Sequence, residues 1–210
     1  MALSEQQKIE FFKYLNRDST IAELENYIYA DTSLEQNIGA ENYLNLVSLN
    51  FKDSRVDFKN YIHENIIDEG EYETWKLKDL LTYFINNYTD LDNTLDLFYH
   101  LYFGDASGDG LARYRYKFLA NLGLNYLHWA EEGYLKTMYG QNWQEEYNKI
   151  RKIGFEFYHK QLMPFAVDIL AALNDGRIQI FSNGTYAIES QLKLKLESDT
   201  IYGLKHPPRS

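Results

Sequence analysis

The stretch Glu71-Tyr-Glu-Thr-Trp-Lys-Leu-Lys-Asp-Leu-Leu-Thr-Tyr-Phe-Ile-Asn-Asn-Tyr88 decides the fold class of this chain. Its apolar residues recur three and four positions apart, as one buried helix face requires, at Leu77, Leu80, Leu81, Phe84, Ile85 and Tyr88. Similar stripes, opened by capping pairs such as Ser4 with Gln7, recur up to Leu173. The sequence therefore predicts a mainly α, bundle-like domain. Pro164 is expected to kink or split the longest helix, because proline donates no backbone hydrogen bond.

The pattern changes after Asn174-Asp-Gly176, which is a signal for the end of a helix. Two short strands flank Asn183-Gly184, a pair typical of a type I′ hairpin turn. Leu192, Leu194 and Leu196 alternate with lysines, which predicts a third strand of a short antiparallel sheet. We therefore predict one domain over residues 1–210, with a helical body at 1–176, a β-hairpin region at 177–197 and a loose tail at 204–210.

The amino-acid composition excludes several kinds of site and several classes of protein. The chain has 210 residues, 45% of them hydrophobic, which suits a globular domain with a real core. It has no cysteine, so disulfides, thiolate metal sites and cysteine nucleophiles are excluded. The N-terminal stretch is amphipathic without the apolar segment of a signal peptide, and no apolar run has the length of a membrane span. We expect a cytoplasmic protein with no membrane partner.

The negative charge of the chain is concentrated in its first half. Residues 1–100 hold 19 acidic and 8 basic residues, a net charge of −11, whereas residues 101–210 carry a net charge of +1. Binding to a phosphate backbone needs clustered Lys and Arg, so nucleic acid is not an expected partner. An acidic surface suits a basic protein partner, although it also serves solubility.

Two motifs suggest metal binding. Asp105-Ala-Ser-Gly-Asp-Gly110 resembles the first half of a calcium loop, but Tyr116 stands where the bidentate Glu belongs. We therefore predict no tight calcium site there. Four residues in two i, i+3 pairs could together form a two-helix metal site of a metal-dependent helical enzyme: His128, Glu131, Glu156 and His159. An ordinary surface His beside a surface Glu is the simpler interpretation. The chain contains no nucleotide-binding or nucleophile motif, so no catalytic residue and no cofactor are predicted.

Scattered blocks of sequence resemble one family of small bacterial proteins. They are Leu24–Tyr29, Leu34–Gly39, Tyr43–Phe51, Trp75–Leu81 and Leu173–Ile180. These blocks are similar to the immunity proteins of contact-dependent and other polymorphic toxin systems. The resemblance implies an all-α protein that binds and neutralises the toxic domain of a cognate bacterial effector by protein–protein contact. It carries over no functional residue. A generic adaptor domain is the further alternative.

The acid-rich stretch around Gly70 is the best sequence-based candidate for the partner surface. It contains Tyr72, a residue type that often anchors interfaces, among five acids. We predict that the basic toxin domain docks on Glu64, Asp68, Glu69, Glu71, Tyr72 and Glu73. Negative charge at the start of a helix also favours the helix dipole, so part of this segment has a structural explanation.

Overall fold

The computed structural model describes residues 2–49, 55–104, 114–197 and 202–205. Helices, including the short 3-10 turns Lys117–Leu119, His128–Ala130 and Gly140–Asn142, hold 74% of the described residues, and most of these lie in α-helices. They are α1 (Glu5–Asn16), α2 (Ile21–Ala30), α3 (Leu34–Ile38), α4 (Ala40–Ser48), α5 (Arg55–Asn65), α6 (Glu69–Asn86), α7 (Leu91–Phe103), α8 (Ala120–Gly123), α9 (Glu132–Tyr139), α10 (Trp143–Asn174) and α11 (Ser190–Leu196). Between α10 and α11, β1 (Ile178–Ile180) pairs antiparallel with β2 (Tyr186–Ile188). The mainly α class with a C-terminal hairpin is confirmed.

The chain divides into two compact units. Unit 1 comprises Met1–Lys76 with Phe181–Asn183, and unit 2 comprises Leu77–Ile180 with Gly184–Ser210. The single domain expected over residues 1–210 stays a prediction, and each unit is described by itself. Among the helices in the described ranges, none combines the length and the apolar character that a membrane span needs.

Unit 1 is built on capped helices around an aromatic core. The capping box is formed as predicted, because the Gln7 backbone N–H donates to Ser4 Oγ and the Ser4 N–H donates to Gln7 Oε1 at 2.9 Å. The buried Gln7 amide also donates to Asp31 Oδ2 at 2.7 Å and thereby connects α1 to the end of α2. The apolar core of this unit includes Phe11, Tyr14, Leu24, Ile28, Leu34, Leu46, Phe58 and Ile62.

Unit 2 has a separate core in which α10 is the longest element. Leu81, Phe84, Leu95, Phe98, Phe118, Phe155, Leu162 and Ile169 are among its buried residues. Helix α8 lies very close to α7, because a Cβ built at Gly123 would be only 2.9 Å from the Phe98 carbonyl oxygen. Only glycine fits there without moving backbone. Helix α10 runs unbroken past Pro164, so the chain is not split at this residue.

Two details of the predicted C-terminal sheet are wrong. Ile180 pairs with Tyr186, so the loop has five residues. Gly184 has a φ of 78°, but Asn183 does not share the positive φ that a type I′ turn requires at both central residues. The predicted third strand is instead α11, which buries Leu192 and Leu196 and leaves Leu194 80% exposed. Leucines four positions apart fit a helix face, and helical spacing outweighs the alternation.

Candidate functional site

The predicted acidic segment lies in unit 1, where its first carboxylate caps a helix. The Glu71 backbone N–H donates to Asp68 Oδ1 at 2.9 Å, so Asp68 satisfies an open donor in the first turn of α6. The Ser182 hydroxyl donates to Asp68 Oδ2 at 2.5 Å. This bond, more than the backbone donors, lowers the pKa of Asp68 against the opposing effect of burial. Both oxygens of Asp68 are therefore used inside the chain.

Three acids of α6, Glu69, Glu71 and Glu73, contact basic side chains. Glu69 Oε1 contacts Nδ1 of His63, and Glu71 Oε1 lies 2.7 Å from Nζ of Lys8. Burial acts to lower the pKa of Lys8, but its bonds to Glu71 and Glu5 outweigh burial and raise that pKa. Glu73 Oε1 lies 3.2 Å from the Lys76 ammonium.

Tyr72 is a core residue, which does not favour its predicted role as an interface anchor. Its side chain is 6% exposed, and its ring centroid lies 5.4 Å from that of Phe12. Burial, with the nearby Glu73, raises the pKa of its hydroxyl to about 12. It falls on the apolar face of α6 that covers α1, a position that helical periodicity alone could have assigned. Of the six predicted contact residues, Glu64 is the one that is exposed without any of these roles.

The structure does not bring the four predicted metal-binding residues together. His159 is buried in unit 2, where its Nε2 donates to the Phe84 carbonyl oxygen at 2.6 Å. Glu156 is exposed and pairs with Lys160 at 2.6 Å. His128 packs edge-on against Tyr134. Within the described ranges, no three His, Asp or Glu side chains are placed to share a metal ion. The calcium-like loop Asp105–Gly110 lies outside the described residues.

A different set of acids meets in a cleft of unit 2 with a volume of about 740 Å³. Its walls come from α7, from the turn before α9, and from the first turns of α9 and α10. Four carboxylates line it, from Asp92, Asp96, Glu131 and Glu132, and none of its described lining residues is Lys or Arg. Three aromatic side chains, Tyr126, Trp143 and Tyr147, share the lining. This combination of charge and aromatic rings is chemically distinct from the acidic segment.

Asp92 is the innermost acid of the cleft. Its Oδ2 accepts a hydrogen bond of 2.9 Å from the Tyr147 hydroxyl. Its Oδ1 is buried and accepts no hydrogen bond from the described part of the chain. A buried carboxylate oxygen without a donor is unusual, because desolvation of such an atom is costly unless it is compensated. Burial, together with the bond to Asp92, raises the pKa of Tyr147 to about 12, so the hydroxyl stays a neutral donor at ordinary pH.

The remaining acids of the cleft are closer to its mouth. The Tyr126 hydroxyl donates to Glu131 Oε1, and Asp96 Oδ1 lies 3.4 Å from Nε2 of His100. Glu132 pairs with Lys136, whose ammonium lies 5.3 Å from the centroid of the Trp143 ring. The Lys136 ammonium thus contacts both a carboxylate and an aromatic face. These are the two kinds of contact that the cleft offers a cation.

The sequence carries one weak signal for this site. Asp92 and Asp96 are four residues apart, so they share one face of α7. Glu131 and Glu132 are more than thirty positions further along, and only the fold brings them to the same cleft. Comparison of the chain with protein-family models, with curated proteins and with solved structures found no match.

Proposed function

We propose that this protein binds a basic protein domain, with the acidic cleft of unit 2 receiving an arginine or lysine side chain of that partner. The observation that carries the proposal is the cleft itself, where four carboxylates and three aromatic rings line one concavity. Carboxylates accept paired hydrogen bonds from a guanidinium group, and aromatic faces attract cations.

Long-range electrostatics support the same kind of partner. The whole chain carries a net charge of −10, and all of the excess lies in residues 1–100. Such a field speeds the encounter with a basic protein, while short-range contacts in a cleft govern how long the complex lasts. We therefore assign the general acidity to association and the cleft to affinity.

In biological terms, we propose that the partner is the toxic domain of a bacterial effector and that the protein is its cytoplasmic immunity protein. The support is the resemblance of the sequence blocks to immunity proteins, together with an acidic binding site. Toxins that act on nucleic acid carry basic surfaces, so an acidic inhibitor is chemically suited to cover them.

The binding test compares two triple variants that remove the same charge. One neutralises the cleft by Asp92→Asn, Asp96→Asn and Glu131→Gln, and the matched control neutralises exposed acids of unit 1 by Asp18→Asn, Glu35→Gln and Glu41→Gln. Calorimetry at low and moderate salt uses a peptide of six arginines, with a peptide of six citrullines as the uncharged probe. We expect the cleft variant to bind the arginine peptide about tenfold more weakly than the parent, a loss of about 1.4 kcal/mol.

The control variant should lose less than about threefold, and that loss should vanish at moderate salt because exposed charges are screened. Equal losses in the two variants would show that only net charge matters, and the cleft would then have no specific role. The toxin assignment has its own test, in which the toxin domain encoded beside this gene is co-expressed with each variant. Binding to basic peptides without protection of the cells would instead favour the adaptor alternative.

A further inference from the structure

The four described residues near the C-terminus form an extended segment on unit 2. Tyr202 and Leu204 are partly buried, whereas Gly203 and Lys205 are exposed. This alternation is that of a strand lying on a surface, with every second side chain turned inward. Leu204 and Lys205 were expected in a loose tail, and the structure holds both. The rest of that predicted tail lies outside the described residues.

One side-chain amide pair holds the backbone of Tyr202. The Tyr202 N–H donates to Asn121 Oδ1 at 2.8 Å, and the Tyr202 carbonyl oxygen accepts from Asn125 Nδ2 at 2.9 Å. Asn121 is buried and Asn125 partly buried, and the Asn125 amide is oriented by a second bond of 2.8 Å to the Asn121 carbonyl oxygen. Both polar groups of one peptide residue are therefore satisfied by side chains positioned by α8.

Gln161 of α10 does the same for Lys205. The Lys205 N–H donates to Gln161 Oε1 at 2.9 Å, and Gln161 Nε2 donates to the Lys205 carbonyl oxygen at 3.0 Å. An amide side chain that pairs with both backbone groups of one residue imitates a neighbouring β-strand. Together the three amides hold the backbone at both ends of the four-residue segment, and Gln161 Oε1 also accepts a 3.4 Å hydrogen bond from the Tyr202 hydroxyl.

The apolar surface under the segment determines which side chains fit there. The Tyr202 ring lies 5.6 Å from the Phe165 ring, centroid to centroid, and Leu204 packs against the core of unit 2. Gly203 has open space around it, because a Cβ placed there meets no atom within 4 Å. The groove thus favours an aromatic residue followed two positions later by an aliphatic one, with little demand on the residue between them.

We propose that the groove formed by Asn121, Asn125, Gln161 and Phe165 is a docking site for an extended peptide, which the chain's own Tyr202–Lys205 occupies in cis. The external occupant is an extended segment of a partner protein with the same aromatic–any–aliphatic pattern. The main-chain contacts do not depend on which chain supplies the backbone, so such a segment can replace Tyr202–Lys205. This site is independent of the acidic cleft and does not rest on the function proposed above.

The test uses two full-length double variants that differ only in backbone donors. Tyr202→Pro with Lys205→Pro removes both N–H groups that the amides recognise, while Tyr202→Ala with Lys205→Ala shortens the same side chains and keeps both donors. The probe is a fluorescently labelled peptide, Ile-Tyr-Gly-Leu-Lys-His, which repeats residues 201–206. A control peptide carries proline at its Tyr and Lys positions. Fluorescence anisotropy gives the dissociation constants.

We expect the proline variant to bind the peptide at least tenfold more tightly than the parent, because the parent's own segment competes at a high effective concentration. The alanine variant should lie between them, and the control peptide should bind to none of the three. Equal binding of the peptide by all three proteins, or no binding to the proline variant at millimolar peptide, would overturn the proposal.

A second measurement on the parent protects the test against misfolding of the proline variant. Millimolar Ile-Tyr-Gly-Leu-Lys-His should shift the side-chain amide resonances of Asn125 and Gln161 in the parent, while the proline-containing peptide should leave them in place. Absence of any shift would show that the segment cannot be displaced and that its role is confined to packing.

Discussion

The acidic segment of unit 1 and the acidic cleft of unit 2 are built from the same residue types but use them differently. In the segment, Asp68 caps α6, Glu69 contacts the His63 ring and Glu71 forms an ion pair with Lys8. In the cleft, a carboxylate oxygen of Asp92 is left without a donor from the described residues. The acids of the segment contact groups of unit 1, whereas the acids of the cleft come from two separate stretches of sequence and line one concavity together.

This difference shows that the local density of charge is a poor guide to a binding site. Acids clustered at the start of a helix are favoured there by the helix dipole and by capping, whatever the protein binds. A binding site instead requires groups whose hydrogen-bonding capacity the fold does not use. The comparison therefore predicts opposite responses of stability and binding when the two sets of acids are changed.

The largest expected effect is on stability, in the triple reversal Asp68→Lys, Glu69→Lys and Glu71→Lys. It removes the cap of α6, breaks the pairs with His63 and Lys8, and places positive charge at the positive end of the helix dipole. These contributions together should lower the free energy of unfolding by about 2–3 kcal/mol. Urea denaturation followed by circular dichroism measures this loss.

The cleft variant Asp92→Asn, Asp96→Asn and Glu131→Gln serves as the comparison and should change the free energy of unfolding by less than about 1 kcal/mol. If the reversal in unit 1 leaves the midpoint of denaturation unchanged, the ion pairs and the cap of α6 contribute nothing. The segment would then be available to a partner after all, as the sequence suggested.

A smaller effect, which needs no charge reversal, is the acid sensitivity of unit 1. Hydrogen bonds from Ser33, and then from Gln7, lower the pKa of Asp31 to about 2, against the opposing effect of burial. Because the folded-state pKa lies below the ordinary value of 3.8, this stabilisation is complete above about pH 4 and is lost as the pH falls towards 2. After allowance for solvent screening, we expect a contribution of about 1–2 kcal/mol.

Unfolding curves of the parent and of Asp31→Asn between pH 2 and pH 7 measure this contribution. The variant should be less stable at neutral pH, and the two proteins should converge as the pH approaches 2. Glu35→Gln, at an exposed acid outside the Asp31 network, is the matched control and should follow the parent at every pH. A constant difference between the parent and Asp31→Asn over the whole range would contradict the assignment.

The helical fold could be predicted from the sequence because apolar periodicity and capping residues are local signals. The stripe through Leu77, Leu81 and Phe84 is buried as expected, and the box of Ser4 and Gln7 is formed. The prediction of a third strand was wrong because the four-residue separation of Leu192 and Leu196 fits both the alternation of a strand and one face of a helix. In such a short run, packing of both leucines on the core determines which structure forms.

Of the candidate site, only its negative charge could be predicted from the sequence. Tyr72 seemed an accessible anchor in the sequence, yet its position on the buried face of α6 turns it towards Phe12 and Trp75. The three-residue spacing of Glu156 and His159 suggested a metal site. In the structure, His159 instead donates a hydrogen bond to the Phe84 carbonyl oxygen. Burial of this kind depends on which helices meet, and the sequence of one helix does not specify its neighbours.

The smallest expected effect is that of removing the Tyr147 hydroxyl, which donates a hydrogen bond to the Asp92 carboxylate. Tyr147→Phe removes the 2.9 Å hydrogen bond to Asp92 Oδ2 and retains the ring in the cleft. The free energy of unfolding should fall by no more than about 1 kcal/mol, since a partly buried hydrogen bond contributes modestly. Binding of the six-arginine peptide should stay equal to that of the parent or become up to about threefold tighter, because the Tyr147 hydroxyl no longer competes for Asp92 Oδ2. Tyr139→Phe, which deletes an exposed hydroxyl outside the cleft lining, is the matched control and should change neither quantity. Calorimetry on these three proteins and on the single variant Asp92→Asn provides the measurement. If Tyr147→Phe weakens binding as much as Asp92→Asn does, the hydroxyl contacts the ligand directly, and the carboxylates of the cleft would not by themselves explain where this protein binds a cation.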